Sequence, residues 1–215
     1  MQALNVAPAK WRDSEELNIF DKAVRDFFAR EAPPEKVAKW REAGVVDREM
    51  WLKAGEAGLL CVAAPEEYGG AGGTFAHEAV IMYAMGEMGI DGFGLPLHNA
   101  IIVVAKTDPA QGARGTSLIF VETDEVDGFR RGRNLDKVGQ DAQDTSELFF
   151  EDVRVPTANL LGPEEGQGFI QLMQQLASER LQIGIQGVAM MERALAQTID
   201  YVKTRKAFGK TVMDF

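Results

Sequence analysis

One cysteine, Cys61, is too few for an internal disulfide, so cross-links do not hold this 215-residue chain together. A lone thiol suits a reducing compartment. Its setting, "GLLCVAAP", is small and apolar, which reads as a buried, inert thiol rather than a nucleophile. Basic residues are short too: 23 Lys and Arg against 33 Asp and Glu give a formal net charge of −10. That balance argues against a general nucleic-acid or anionic-membrane binder, although a local basic cluster can still hold a phosphate. No apolar run approaches membrane-spanning length. The opening "MQALNVAPAKWRDSEEL" has neither a signal-peptide core nor an Arg-rich transit bias, so a cytoplasmic location is expected. No repeat or low-complexity tract interrupts the chain, and no metal site is expected. What is present is 46% hydrophobic and 26% charged, a globular composition with enough apolar residues for one large domain or two small ones.

Hydrophobic period divides the chain into three zones. The first, 1–101, reads as a helical domain. Asp13 and Glu16 stand at capping-box spacing, with Asp in place of Ser or Thr. Leu17, Phe20, Val24, Phe27 and Phe28 then follow helical spacing until Pro33-Pro34. "EKVAKWREAG" and "DREMWLKAGEAG" predict two short helices ending at glycines. Thr74 caps a fourth, closed by Gly89, with Ala79, Met82, Met85 and Met88 turned inward as core filler. "PEEYGGAGGT" lacks the strand-before, helix-after context of a dinucleotide fingerprint and reads as a tight connection.

The second zone, 102–158, changes to β-branched and aromatic runs broken by Gly, Asp and Pro: "IIVVAKTD", "TSLIFVET", "GFRRGRNLDKVG" and "SELFFEDVRVP". These predict a small, largely antiparallel middle β-domain, with "RRGR" at 130–133 as a solvated strand end or turn. The third zone, 159–215, opens with a turn, "NLLGPEEGQG". One long helix follows from about Phe169 to Lys206, and the basic "YVKTRKAFGK" complements the negative end of its dipole. Gly184 and Gly187 inside it each cost roughly 1 kcal/mol relative to Ala. They make sense where a neighbouring helix or a flat ligand approaches closely.

Glu179 stands out in this helix. Measured from Leu172, the residues Leu176, Glu179 and Ile183 share one face at about 100° per residue. A carboxylate in an apolar stripe pairs with a Lys or Arg, reaches water, or sits in a pocket as a base.

Four strings in this order, "APEEYGGAGG", "DKVGQDAQDTSELFFEDVRVP" with "NLLGPEEGQGF", "LASERLQIG" and "YVKTRKAFGK", closely resemble the acyl-CoA dehydrogenase family. The resemblance implies an α+β multi-domain fold: an N-terminal helical domain, a small middle β-domain and a C-terminal helical bundle. It implies FAD-dependent α,β-dehydrogenation of an acyl-CoA thioester to the trans-2-enoyl-CoA, with hydride passing to the flavin. In the isovaleryl-CoA and long-chain branches the base lies in an "ER" pair that matches Glu179-Arg180. A thioester α-proton is too weakly acidic for a carboxylate in water, so a water-poor cleft must raise the base's affinity for protons while the developing enolate is stabilised. The resemblance also places Ala177, Ser178 and Arg180 beside the acyl-CoA. It brings Arg205 and Phe208 to an FAD held mainly by a neighbouring subunit, which implies a homo-oligomer, dimer or tetramer. A guanidinium suits a pyrophosphate, and the ring offers a flat apolar surface. An electron-transferring flavoprotein is the expected electron acceptor.

The chain departs from that pattern in two places. Relatives carry several dozen more residues between "GLPLHNAI" and "IVVAKTDP", including a strand that walls the flavin, and further helices after "GKTVMDF". Strands without their partners leave raw edges prone to association. Two alternatives share the sequence features: an acyl-CoA oxidase or related flavin enzyme of the same fold, and a non-catalytic acyl-CoA-binding or assembly protein without flavin.

Overall fold

The computed structural model describes residues 10–93 and 100–215. The opening residues, read above for targeting signals, and most of the "GLPLHNAI" joint lie outside the described residues. The chain divides into two compact units that do not follow chain order. The first takes Met1–Trp40, Asp47–Asp91 and Leu181–Phe215; the second takes Arg41–Val46 and Gly92–Arg180. The three zones of the sequence are thus rearranged in space, because the last helix joins the N-terminal helices for more than half its length.

In the first unit, a 3-10 turn (Lys10–Asp13) leads into α1 (Glu15–Glu31), α2 (Pro34–Ala43), α3 (Arg48–Glu56) and α4 (Phe75–Met88). The cap of α1 is Ser14, one residue after the expected Asp13: its hydroxyl accepts from the Leu17 amide at 3.3 Å. Asp13 instead ends the preceding turn. On α1, Leu17, Asp21, Val24 and Phe28 recur at i, i+4, i+7 and i+11, and all are buried. The Arg25 Nε grips both carboxylate oxygens of buried Asp21 at 2.9 Å, and its Nη2 lies 2.7 Å from Glu87 of α4. Val24, Phe28, Met50, Val80 and Met85 are almost wholly buried and form the core. Each contributes roughly 1.5–3 kcal/mol of apolar burial.

On α4 the packed residues are Val80, Ile81, Ala84, Met85 and Gly86, whereas Ala79, Met82 and Met88 are only half-buried. The stretch Ala79–Met82 is apolar at every position, so the methionine spacing does not single out the face that packs. The preceding loop is the tight connection expected: the amides of Gly72 and Gly73 donate to the carbonyls of Ala64 and Val62 at 2.9 and 2.7 Å. A Cβ on Gly70 would stand 2.1 Å from the Ala64 carbonyl oxygen. Cys61 corrects the sequence reading, because it is exposed. Its φ of 52° turns its side chain out of a bend whose neighbours Leu59 and Val62 are buried.

The second unit holds two separate antiparallel pairs: β1 (Ala100–Lys106) with β2 (Thr116–Glu122), and β3 (Phe129–Asn134) with β4 (Ser146–Phe150). The antiparallel expectation holds, but the strands do not join into one sheet. Beyond β2 lies a single bridge, Ile119 to Leu160, with the Leu161 amide donating to Leu118 at 2.9 Å. "RRGR" lies inside β3 rather than at a turn: Arg130 stacks 3.9 Å over the Phe149 ring, and Arg133 pairs with Glu147 at 3.4 Å. Gly132 makes room for that stack, since a Cβ there would meet Phe149 at 2.9 Å.

Candidate functional site

The residues proposed for chemistry all ride on α5 (Gly168–Thr204) and the short hairpin after it. Its first turn is seated by backbone. The Gly166 amide donates to buried Ser117 Oγ at 2.9 Å, and Gln171 Nε2 donates to the Leu161 carbonyl at 2.7 Å. A Cβ on Gly168 would come within 2.8 Å of the Ser117 backbone, so the helix starts in direct contact with β2.

Ala177, Ser178, Glu179 and Arg180 are all exposed. In this chain by itself Glu179 stands in solvent rather than in a cleft. The Lys or Arg pairing is not seen either: among the described residues Glu179 has no ion-pair partner. The physical reason lies in the helix. On its face, Leu172 and Ile183 are exposed too, Ile183 to 69%, and none of the described residues covers them. Gly184 and Gly187 have no heavy atom of the described residues within 4 Å of an added Cβ, so those residues do not supply the close neighbour expected there.

A second row of α5, about 80° round from the Leu172–Ile183 face, is the packed one, and sequence reasoning missed it. Ala189 is fully buried against Gly86 of α4. Around it, Gln182 Nε2 donates to Glu78 at 2.8 Å, and Arg193 Nη1 donates to the Glu87 carbonyl at 3.1 Å. The Tyr83 hydroxyl donates to Glu192 in a short bond. Burial first, and then that bond, pushes the Tyr83 phenol up to about 12. The available signal was Gln182, Gln186, Ala189 and Arg193 at i, i+4, i+7 and i+11, a polar stripe around one alanine. That polar stripe docks because α4 offers it polar partners, Glu78, Tyr83 and the Glu87 carbonyl, around the Gly86–Ala189 contact.

After Thr204 the chain leaves the helix and forms β5 (Lys206–Ala207) and β6 (Lys210–Thr211). "TRKAFGK" is therefore a two-residue hairpin rather than a plain basic helix end. Phe208 and Gly209 occupy its turn with φ of 49° and 85°, the double left-handed geometry of a type I′ turn. Phe208 is 97% exposed, edge-on to Phe215 at 6.2 Å, and Arg205 is exposed beside it. A guanidinium and an outward ring are a donor set that fits one end of an FAD. Among the described residues no three His, Cys, Asp or Glu side chains gather closely enough to hold a metal ion.

Residues 14–111 match the acyl-CoA dehydrogenase N-terminal domain, and residues 166–215 match the acyl-CoA dehydrogenase C-terminal domain. The long-chain specific acyl-CoA dehydrogenase of Sus scrofa mitochondria is 34% identical over 93% of this chain. The chain spans 63% of that relative's length. The alignment runs over 274 residues against about 200 here, so about seventy positions have no counterpart in this chain. The crystal structure of an acyl-CoA dehydrogenase from Geobacillus kaustophilus matches with a TM-score of 0.83 at 33% identity, covering 94% of this chain and 72% of that one. A structure described as the electron transferring flavoprotein of Acidaminococcus fermentans matches at 0.80 and 25% identity, covering 94% and 72%.

Proposed function

We propose that the chain, which belongs to the acyl-CoA dehydrogenase family, serves FAD-dependent α,β-dehydrogenation of an acyl-CoA thioester, with Glu179 as the base. The observation that carries this reading is Glu179 itself, an unpaired carboxylate beside Leu172, Leu176 and Ile183 on an uncovered helix face. A layer closing over that face removes water from the carboxylate and raises its affinity for the α-proton. Ala177 and Ser178 would line the acyl-CoA, and Arg180, about 100° round the helix from Glu179, is placed to meet an anionic part of it. FAD, when bound, supplies the acceptor for the β-hydrogen and its electron pair.

Thr204, the last residue of α5, lies 25 residues beyond Glu179, about 38 Å along a helix that rises about 1.5 Å per residue, and Arg205 follows it. One FAD does not bridge that span. Arg205 and Phe208 would therefore contact the FAD of another subunit, which supports a homo-oligomer with shared sites. An electron-transferring flavoprotein is the proposed acceptor, and the long-chain relative supports a longer acyl substrate.

Incubating the purified chain with FAD and then adding acyl-CoA anaerobically tests this. Bleaching of the flavin is expected, and Glu179→Gln should keep the colour but not bleach. Full bleaching by the Gln variant removes Glu179 from the mechanism. The exposure of Glu179 and the seventy absent positions favour a second reading, a non-catalytic acyl-CoA-binding or assembly protein. That reading predicts a chain still colourless after FAD.

A further inference from the structure

The second edge of β1 carries a further inference. Among the described residues β1 pairs with β2 alone, so its other edge presents unpaired backbone N–H and C=O groups. Natural sheets blunt such edges with proline, bulges, free charges or a covering element. None of these protects β1. "AIIVVAK" holds no proline, glycine or acid, and its register with β2 is unbroken over all seven residues. Its one charge, Lys106, is tied back into its own hairpin by the Gly112 carbonyl at 2.6 Å and Thr116 Oγ1 at 2.8 Å. On one face Ile102 and Val104 stand 45% and 55% exposed.

We propose that β1 is a self-pairing edge, on which a second copy of this chain adds its own β1 antiparallel about a two-fold axis through Val103. The sequence is self-complementary in that register. Ile102 of one copy falls opposite Val104 of the other, Ile101 opposite Ala105, and Ala100 opposite Lys106. Both exposed residues then cover each other as a β-branched cross-strand pair, on both sides of the axis. Charge agrees: no two like charges meet, even though the chain as a whole carries −10. Seven residues give about 24 Å of strand, an interface below the standard size of about 1,200 Å², so the pairing is weak. It forms as protein concentration rises and strengthens with salt, which screens the net repulsion between copies.

The test is a charge swap read by light scattering after size exclusion across a concentration series. I102K/V104K alone and I102E/V104E alone, without FAD, should lose the rise in mass with concentration that the parent shows, because like charges then stand directly opposite. Mixing them should restore the dimer of the parent chain. Both substituted positions are half-exposed, so the hairpin survives; circular dichroism of each variant checks it. A parent that stays monomeric, a lysine variant that dimerises like the parent, or a mixture that stays monomeric overturns the proposal. So does a dimer abolished by I183K on α5 but untouched by the β1 variants.

Discussion

Gly86 of α4 and Ala189 of α5 meet so closely that a Cβ on Gly86 would stand 2.7 Å from the Ala189 Cβ and 2.8 Å from the Gln186 carbonyl oxygen. In a free helix, Gly to Ala gains about 1 kcal/mol. Here the clash reverses the sign. Gly86→Ala should destabilise by about 1–3 kcal/mol, seen as a fall in the thermal midpoint. Ala189→Gly should recover part of that loss in the double variant, since the contact with the Gln186 backbone remains.

The cap of α1 gives a direct comparison of neighbours. Ser14→Ala should cost about 1 kcal/mol in urea unfolding, because the Leu17 amide loses its acceptor. Asp13→Ala should stay within about 0.5 kcal/mol. The reverse ranking would return the cap to Asp13.

Hydrogen bonds from Lys53 and then from Arg30 hold the Glu31 carboxyl down at about 2, against an ordinary 4.5. A depressed folded value means that the ionised form supports the fold above 4.5, and that this support fades as pH falls from 4.5 towards 2. NMR titration of Lys53→Met should show the Glu31 midpoint moving up towards 4.5. An unmoved midpoint would remove Lys53 as its cause.

Phe208 occupies a turn position that favours asparagine or glycine. Holding a bulky residue at positive φ costs about 1–2 kcal/mol, partly offset by about 0.5–1 from its edge contact with Phe215. Phe208→Asn should therefore raise stability by about 0.5–1 kcal/mol. If Phe208 meets the FAD of another subunit, the same variant binds FAD more weakly. A variant both less stable and unchanged in FAD binding would contradict both expectations.

Helix boundaries were legible where chemistry is local. Pro33-Pro34 separates α1 from α2, Asp47 caps α3, and Gly89 closes α4 at φ 69°. The core face of α1 was legible too, because Leu17, Val24 and Phe28 obey a single period. α5 was not, because its apolar Leu172–Ile183 row and the mostly polar row that packs lie only about 80° apart, and periodicity does not say which one its own chain covers. Glu179 stands about one turn short of Gln182, where the packed row begins, so its solvation depended on which neighbours are present rather than on its own spacing. The hairpin at Phe208 escaped notice because its first turn residue is aromatic, and asparagine or aspartate is the residue that announces such a turn. Cys61 was misjudged for a related reason: apolar neighbours were taken to bury it, and a left-handed bend turned it outward.

The loop before α4 is held by carbonyls of Val62 and Ala64 and by the absence of side chains at Gly70 and Gly73, so the heading of that helix is written in main chain alone. Evolutionary drift should then be sharply uneven across ten adjacent positions. Tyr68, jutting into water, is free to change, while any methyl group at Gly70 collides with Ala64 and would have to swing the whole of α4 aside.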